Sequence, residues 1–212
     1  MTREAFRRRG HDAWSCDIQP ADDNSSYHYQ CDIRDVVHMG WDLAIFHPSC
    51  TYLTCSAEWA YGDGPYHMNL KIGTLVGKAR RQAREAAIAE VKWLWALPIE
   101  RIVIENPKGA LSTRWRKPTQ IIQPHEYGDD ASKETHIWSR GCSLMTPTLH
   151  VAPRIVEHPK GSGKLVKRWA NQTDSGQNKL TPSQTRWKER SKTYPGIAEA
   201  LASQLLQDFR LV

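Results

Sequence analysis

No run of eighteen apolar residues occurs in the 212-residue chain, so no segment suits a membrane-crossing helix. The first residues, Met1-Thr2-Arg3-Glu4-Ala5-Phe6-Arg7-Arg8-Arg9, carry charge without an apolar stretch behind it, which excludes a secretory signal. Cysteine is scarce and odd in number: Cys16, Cys31, Cys50, Cys55 and Cys142. A chain this long does not need covalent staples, so reduced thiols are expected rather than a disulfide framework. These absences read as a soluble protein of the cytoplasm; they leave its oligomeric state open. Nucleotide loops are missing as well. Gly62-Asp63-Gly64 and Gly161-Ser162-Gly163 follow no strand, and Leu165 after Lys164 breaks the phosphate-loop pattern. The spacing of His47, Cys50, Cys55 and His67 matches no common zinc finger, so no metal is expected. The second cysteine of a zinc deaminase is absent after Cys50.

What the chain does have is enough apolar residue, 40%, for one sizeable core, and nine tryptophans to fill it. A net charge of +6 suits a polyanionic partner, although solvated Lys and Arg are ordinary surface. Helix and strand signals alternate through the first half. Arg3 to Gly10 reads as a helix end with Gly10 just past it, and Ala13–Cys16 and Tyr29–Cys31 as short strands ending at Asp17 and Asp32. Trp41–Phe46 reads as a buried strand stopped by His47-Pro48. A helix is predicted from about Lys78 to Leu97, with Ala83, Ala87, Val91 and Trp95 inside and Arg80, Arg81, Arg84 and Lys92 outside. Pro98 ends it. Arg101–Ile104 and Thr135–Trp138 read as further strands. The pattern implies an α/β fold with a mostly parallel sheet covered on both faces.

The division expected is a core over residues 1–153, a basic segment over 154–192, and a closing helix over 193–212 that packs back on the core. The basic segment holds ten Lys or Arg against three Asp or Glu, is poor in aliphatics and reads as loops. The closing helix carries Ile197, Leu201, Leu205 and Phe209 on one stripe.

In parallel sheets the ligand crevice lies at the carboxyl ends of the strands. Asp17, Asp32, Cys50 and Glu105 all follow predicted strands. Taken alone, each has an ordinary reading: Asp17 as a turn former before Pro20, Cys50 as a small apolar filler, Glu105 as a cap of the next turn. Together, a thiol and a carboxyl group at neighbouring strand ends suit attack on carbon 6 of cytosine, with ring nitrogen 3 absorbing the charge.

Pro48-Ser49-Cys50 resembles the Pro-Pro-Cys signature of the cytosine-5 DNA methyltransferases, and Glu105-Asn106-Pro107 resembles their Glu-Asn-Val signature. Glu126-Tyr127-Gly128, followed by Lys133-Glu134-Thr135-His136-Ile137, is similar to their Tyr-Gly … Gln-x-Arg-x-Arg segment. Arg190–Ala200 is similar to the stretch where their last helix returns to the cofactor site. Small phage-type members are nearest. The resemblance implies a Rossmann-like S-adenosylmethionine-dependent methyltransferase fold with a small basic target-recognition region. It also implies DNA and S-adenosylmethionine as partners. It implies Cys50, Glu105 and Lys133 as catalytic residues, Asp17 for the ribose, Asp32 and Ile33 for the adenine, and Pro48 beside the cofactor.

Three departures stand out. Ser49 replaces a proline, and Thr135 replaces an arginine that helps clamp the flipped base. The opening strand with its Phe-x-Gly-x-Gly loop is absent ahead of Met1, so the fold is expected to be N-terminally truncated. An alternative is therefore a methyltransferase-like DNA-binding protein without catalysis. An amino-group methyltransferase would need an aromatic residue where Cys50 stands.

Overall fold

The computed structural model describes residues 1–66, 70, 72–183 and 186–206, with the backbone alone at Trp187. The chain opens with helix α1 (Thr2–Arg7), which buries Arg3, Ala5 and Phe6. Gly10, at φ +85°, turns the chain away where a side chain would be strained. Strands β1 (Ser15–Cys16) and β2 (His28–Tyr29) pair in parallel. Asp32 then caps the short helix α2 (Ile33–Val36), its carboxylate accepting from Arg34 N. Strand β3 (Leu43–Phe46) stops at His47-Pro48. A 3-10 turn over Glu58–Tyr61 precedes helix α3 (Gly77–Ala96). Next come β4 (Arg101–Pro107), α4 (Leu111–Arg114), β5 (Gln120–Ile122) and β6 (Thr135–Arg140). The hairpin β7 (Arg154–Glu157) and β8 (Leu165–Arg168) follows, then α5 (Arg186–Ser191) and α6 (Pro195–Gln204).

These elements form two compact units. The first comprises Met1–Trp41, Ile122–Lys133 and the described part of Cys142–Val212; the second comprises Asp42–Ile121 and Glu134–Gly141. The architecture is mixed α/β. In the second unit β3 pairs in parallel with β4, β4 pairs antiparallel with β6, and β5 lies beyond β6. The sheet is thus parallel at β3–β4 and turns antiparallel at β6.

Strand β4 anchors this sheet because Ile102, Val103 and Ile104 are wholly buried, as expected of a strand covered on both faces. Trp138 on β6 is also wholly buried and donates from Nε1 to the Arg116 carbonyl at 2.9 Å. In the first unit α1 packs against α6, whose Ile197, Ala198, Leu201 and Ala202 are buried. Phe209, expected on the same stripe, lies outside the described residues, as does His67. No helix among the described residues is long and apolar enough to cross a membrane.

The expectation of a mostly parallel sheet is met only in part, since β4 and β6 pair antiparallel and β1–β2 forms its own sheet, and two further expectations are corrected. Arg80 and Arg84 face inward on α3, only 7% and 5% exposed, because aromatic rings and carbonyls receive them. Arg84 lies 3.4 Å from the Tyr61 ring centre, donates to the Tyr52 carbonyl at 3.0 Å, and pairs with Glu58 at 2.6 Å. Ala83, Ala87 and Trp95 are only half-buried; Ile88, Val91 and Leu94 complete the inner stripe. The second correction concerns residues 154–192, which hold the β7–β8 hairpin and α5 rather than loops alone. Each hairpin strand has only two adjacent apolar residues, Ile155-Val156 and Leu165-Val166, too few to show an alternating pattern.

Candidate active site

The parallel register of β3 and β4 sets Phe46 against Ile104, so the residues that follow, His47 and Glu105, come side by side. His47 Nδ1 lies 2.9 Å from Glu105 Oε2. Glu105 is 9% exposed, whereas the His47 side chain is 39% exposed, so the pair runs from the interior to the surface. One residue further on, Asn106 donates from Nδ2 to the Pro48 carbonyl at 2.9 Å. The Glu105-Asn106-Pro107 strand end is thereby fastened to the turn that carries Cys50.

That turn has its own framework. The Cys50 carbonyl accepts from Leu53 N and Thr54 N, both at 3.0 Å, which coils the chain immediately after the half-buried thiol. Leu53 is 1% exposed, and its carbonyl accepts from Ala110 N at 2.7 Å. A Cβ at Gly109 would stand 1.9 Å from that same carbonyl, so only glycine lets the two backbones approach. From the other side Tyr61 Oη and Arg84 Nε both donate to the Tyr52 carbonyl. The Cys50 turn is therefore held by backbone, an aromatic hydroxyl and a buried guanidinium. Such a turn presents one side chain reproducibly, as a nucleophile requires.

A second polar chain in this unit has no counterpart in the sequence reading. On β6, His136 is cross-strand partner of Asn106 and only 4% exposed. Its Nδ1 lies 3.0 Å from Ser112 Oγ and its Nε2 lies 2.9 Å from Glu134 Oε1, so both ring nitrogens are satisfied. Thr135, which stands where the resembled family has an arginine, is 2% exposed within β6.

The remaining expected site residues, Asp17, Asp32, Ile33 and Lys133, belong to the first unit; Pro48, Cys50 and Glu105 belong to the second. Asp17 is exposed and its Oδ1 accepts from Gln19 N at 2.8 Å, a side-chain turn of the kind that favours Asp before Pro20. Asp32 is exposed and committed to its helix: Oδ1 accepts from Arg34 N at 2.9 Å, and both oxygens lie 3.3 Å from the Arg34 guanidinium. The Arg34 N–H and guanidinium hold its carboxyl below the usual carboxylate range. Ile33 is half-buried at the first position of α2. Lys133 N donates to Gln123 Oε1 at 3.0 Å, fixing its backbone.

Among the described residues no group of three or more His, Cys, Asp or Glu is arranged to hold a metal ion. On sequence alone His47 reads as part of a strand stop and His136 as part of the Lys133–Ile137 segment, and neither carries a role in the site. The signal that could have found them is position: each sits on or next to a strand beside an expected catalytic residue. Compared with models of known families, with curated proteins and with solved structures, the chain finds no match.

Proposed function

We propose that the chain is a DNA methyltransferase of the cytosine-5 type, in which Cys50 attacks carbon 6 of a cytosine and Glu105 serves ring nitrogen 3. One observation carries the reading. The turn bearing Cys50 and the strand end bearing Glu105 are adjacent on parallel strands and are fastened together by the Asn106–Pro48 hydrogen bond. The Rossmann-like methyltransferase fold belongs to the same proposal, supported by the parallel pairs β1–β2 and β3–β4.

The nucleophile and the proton donor asked for both belong to the second unit, with water as the proton reservoir. The Cys50 thiolate forms a bond to carbon 6, and the ring electrons move toward nitrogen 3. Glu105 and His47 share a proton across 2.9 Å. That pair delivers it to nitrogen 3, and the exposed edge of His47 recovers a proton from water. Release is an elimination: the proton on carbon 5 passes to solvent water, the proton on nitrogen 3 returns to the Glu105–His47 pair, and the bond to carbon 6 breaks to regenerate the Cys50 thiolate.

In the first unit Asp17 offers its Oδ2 and the spare lone pair of Oδ1 to ribose hydroxyls, and the half-buried Ile33 offers an apolar contact to adenine. These acceptors and this apolar contact suit the nucleoside part of S-adenosylmethionine, which when bound would supply an electrophilic methyl group. Asp32 suits it less, being already engaged by Arg34. That engagement favours the second reading, a DNA-binding protein without catalysis.

DNA would be met by the basic hairpin. Lys160, Lys164 and Lys167 are exposed along or beside β7–β8, with Ile155 56% and Leu165 69% exposed on the same hairpin. Cations attract phosphates and apolar tips touch bases or sugars. The test is transfer of a labelled methyl group from S-adenosylmethionine to duplex DNA by the full chain. Label in 5-methylcytosine, lost in Cys50→Ser, supports the enzyme; DNA binding with no transfer supports the second reading.

A further inference from the structure

The sulfurs of Cys16 and Cys31 lie 3.9 Å apart in the first unit, and the Cys16 sulfur is also 3.4 Å from the Cys31 carbonyl. Both residues are half-buried, one at the end of β1 and the other two residues past β2. Parallel pairing puts Cys16 opposite Tyr29, so the two thiols emerge from neighbouring strands at the same end. A Trp14 ring stacked on Tyr29 at 4.8 Å, and hydrogen bonds from Ser15 N and Asp17 N to the opposite strand, hold that end in register. Closing to covalent distance asks for about 2 Å of sulfur movement. Cys50 and Cys55 belong to the other unit.

We infer that Cys16 and Cys31 form a reactive dithiol that a small disulfide, such as oxidised glutathione, converts to an intramolecular disulfide. The exchange is balanced. The Cys31 thiolate attacks one sulfur of oxidised glutathione and expels one glutathione thiolate. The Cys16 thiolate then attacks the Cys31 sulfur of the mixed disulfide and expels the second. Two protein thiols are oxidised, one small disulfide is reduced to two thiols, and two protons end on them. Burial and the hydrogen bond with Cys31 push the Cys16 thiol up to about 11, so the closing attack speeds up as pH rises.

The placement gives the switch a consequence, which rests on the methyltransferase reading. Asp17 follows Cys16 directly and Asp32 follows Cys31 directly. A bond between the two sulfurs draws these carboxylate-bearing residues toward one another and changes the spacing offered to a nucleoside. Oxidation should therefore weaken S-adenosylmethionine binding, and reduction should restore it.

The experiment incubates the full chain with oxidised glutathione, alkylates the remaining thiols and maps the peptides by mass spectrometry. The expected product joins Cys16 to Cys31, two hydrogens lighter, with Cys50, Cys55 and Cys142 alkylated. In Cys16→Ser and in Cys31→Ser alike the reaction should stop at a glutathione adduct on the remaining thiol. Separate glutathione adducts on both residues of the unaltered chain, or preferred pairing with another cysteine, would overturn the inference. Calorimetric titration of S-adenosylmethionine into reduced and oxidised protein separates the two layers. Binding at least tenfold weaker after oxidation supports the switch, and equal binding overturns it. Absence of binding to either form, with the disulfide formed, removes the methyltransferase reading and the switch but leaves the dithiol standing.

Discussion

Asn106 donates its side-chain amide to the Pro48 carbonyl over 2.9 Å, while its own Oδ1 is buried with no hydrogen-bond partner among the described residues. A 1% exposed amide with an unmade bond is costly, so the half that is made has to matter. It ties the residue after Glu105 to the residue two before Cys50. This contact joins the two strand ends that carry the candidate catalytic groups.

Asn106→Ala should accordingly destabilise the chain by about 0.5–1.5 kcal/mol, the net worth of one hydrogen bond to a half-buried carbonyl. Chemical unfolding measures this. Under the proposed function the same variant should lose more methyl transfer than DNA binding; loss of both in equal proportion would mean that the contact is structural only.

Trapping tests the nucleophile. DNA carrying 5-fluorocytosine lacks the carbon 5 proton that must leave, so the Cys50 bond to carbon 6 should persist after methylation. Electrophoresis under denaturing conditions should show a protein–DNA adduct that Cys50→Ser abolishes and Cys55→Ser retains. An adduct surviving Cys50→Ser would remove the central assignment.

Much of this geometry was legible in the sequence for a physical reason. Ile102-Val103-Ile104 reads as a buried strand because burial on both faces demands a continuous apolar run, and Pro98 and Pro48 mark element ends because they cannot donate a backbone hydrogen bond. What was hidden depends on distant partners. Arg84 reads as an outer cation until Glu58 and Tyr52, twenty-six and thirty-two residues away, are seen to receive it. His47 acquires meaning only from Glu105, fifty-eight residues on, and His136 only from Ser112. Asp32 shows the limit from the other side: the residue type suits a ligand, but its own helix already uses the carboxylate.

Arg84→Met keeps the apolar stem and removes the guanidinium, so the Tyr52 carbonyl loses one donor and Tyr61 its cation. A stability loss of about 2–3 kcal/mol is expected from the combined hydrogen bonding and ring contact. Glu58→Gln should cost less than about 1 kcal/mol, because the Glu58 side chain is 55% exposed and solvent screens the pair. Thermal melting of both variants checks the ranking.

Tyr127 sets an alkaline limit. It is 3% exposed, its hydroxyl has no partner among the described residues, and burial pushes it up to about 12 from 10. The unfolded chain therefore releases the phenolic proton first. The stability this contributes is intact below pH 10 and lost as pH rises through about 12, at up to about 1.4 kcal/mol per pH unit. Tyr127→Phe should flatten that slope, and should cost little at neutral pH because no hydrogen bond is broken. An unchanged slope would place the alkaline sensitivity elsewhere.

The basic hairpin is the last test. Arg154 is paired with Asp174 at 2.5 Å, and the Arg168 Nε donates to the Asp174 carbonyl at 3.0 Å, so the hairpin's arginines brace the loop that follows β8. Lys164 and Lys167 are exposed. Phosphate binding releases condensed counterions for each cation engaged, which makes affinity fall with salt in proportion to the number of contacts. Replacing Lys164, Lys167 and Arg168 together should weaken DNA binding for every sequence alike and reduce the salt slope by up to about three contacts. Arg168 should contribute the least of the three, since releasing it to DNA costs its bond to the loop. Fluorescence anisotropy across a salt series reads both quantities. A slope that does not change on triple replacement would make these residues solvated surface and move the DNA interface away from the hairpin.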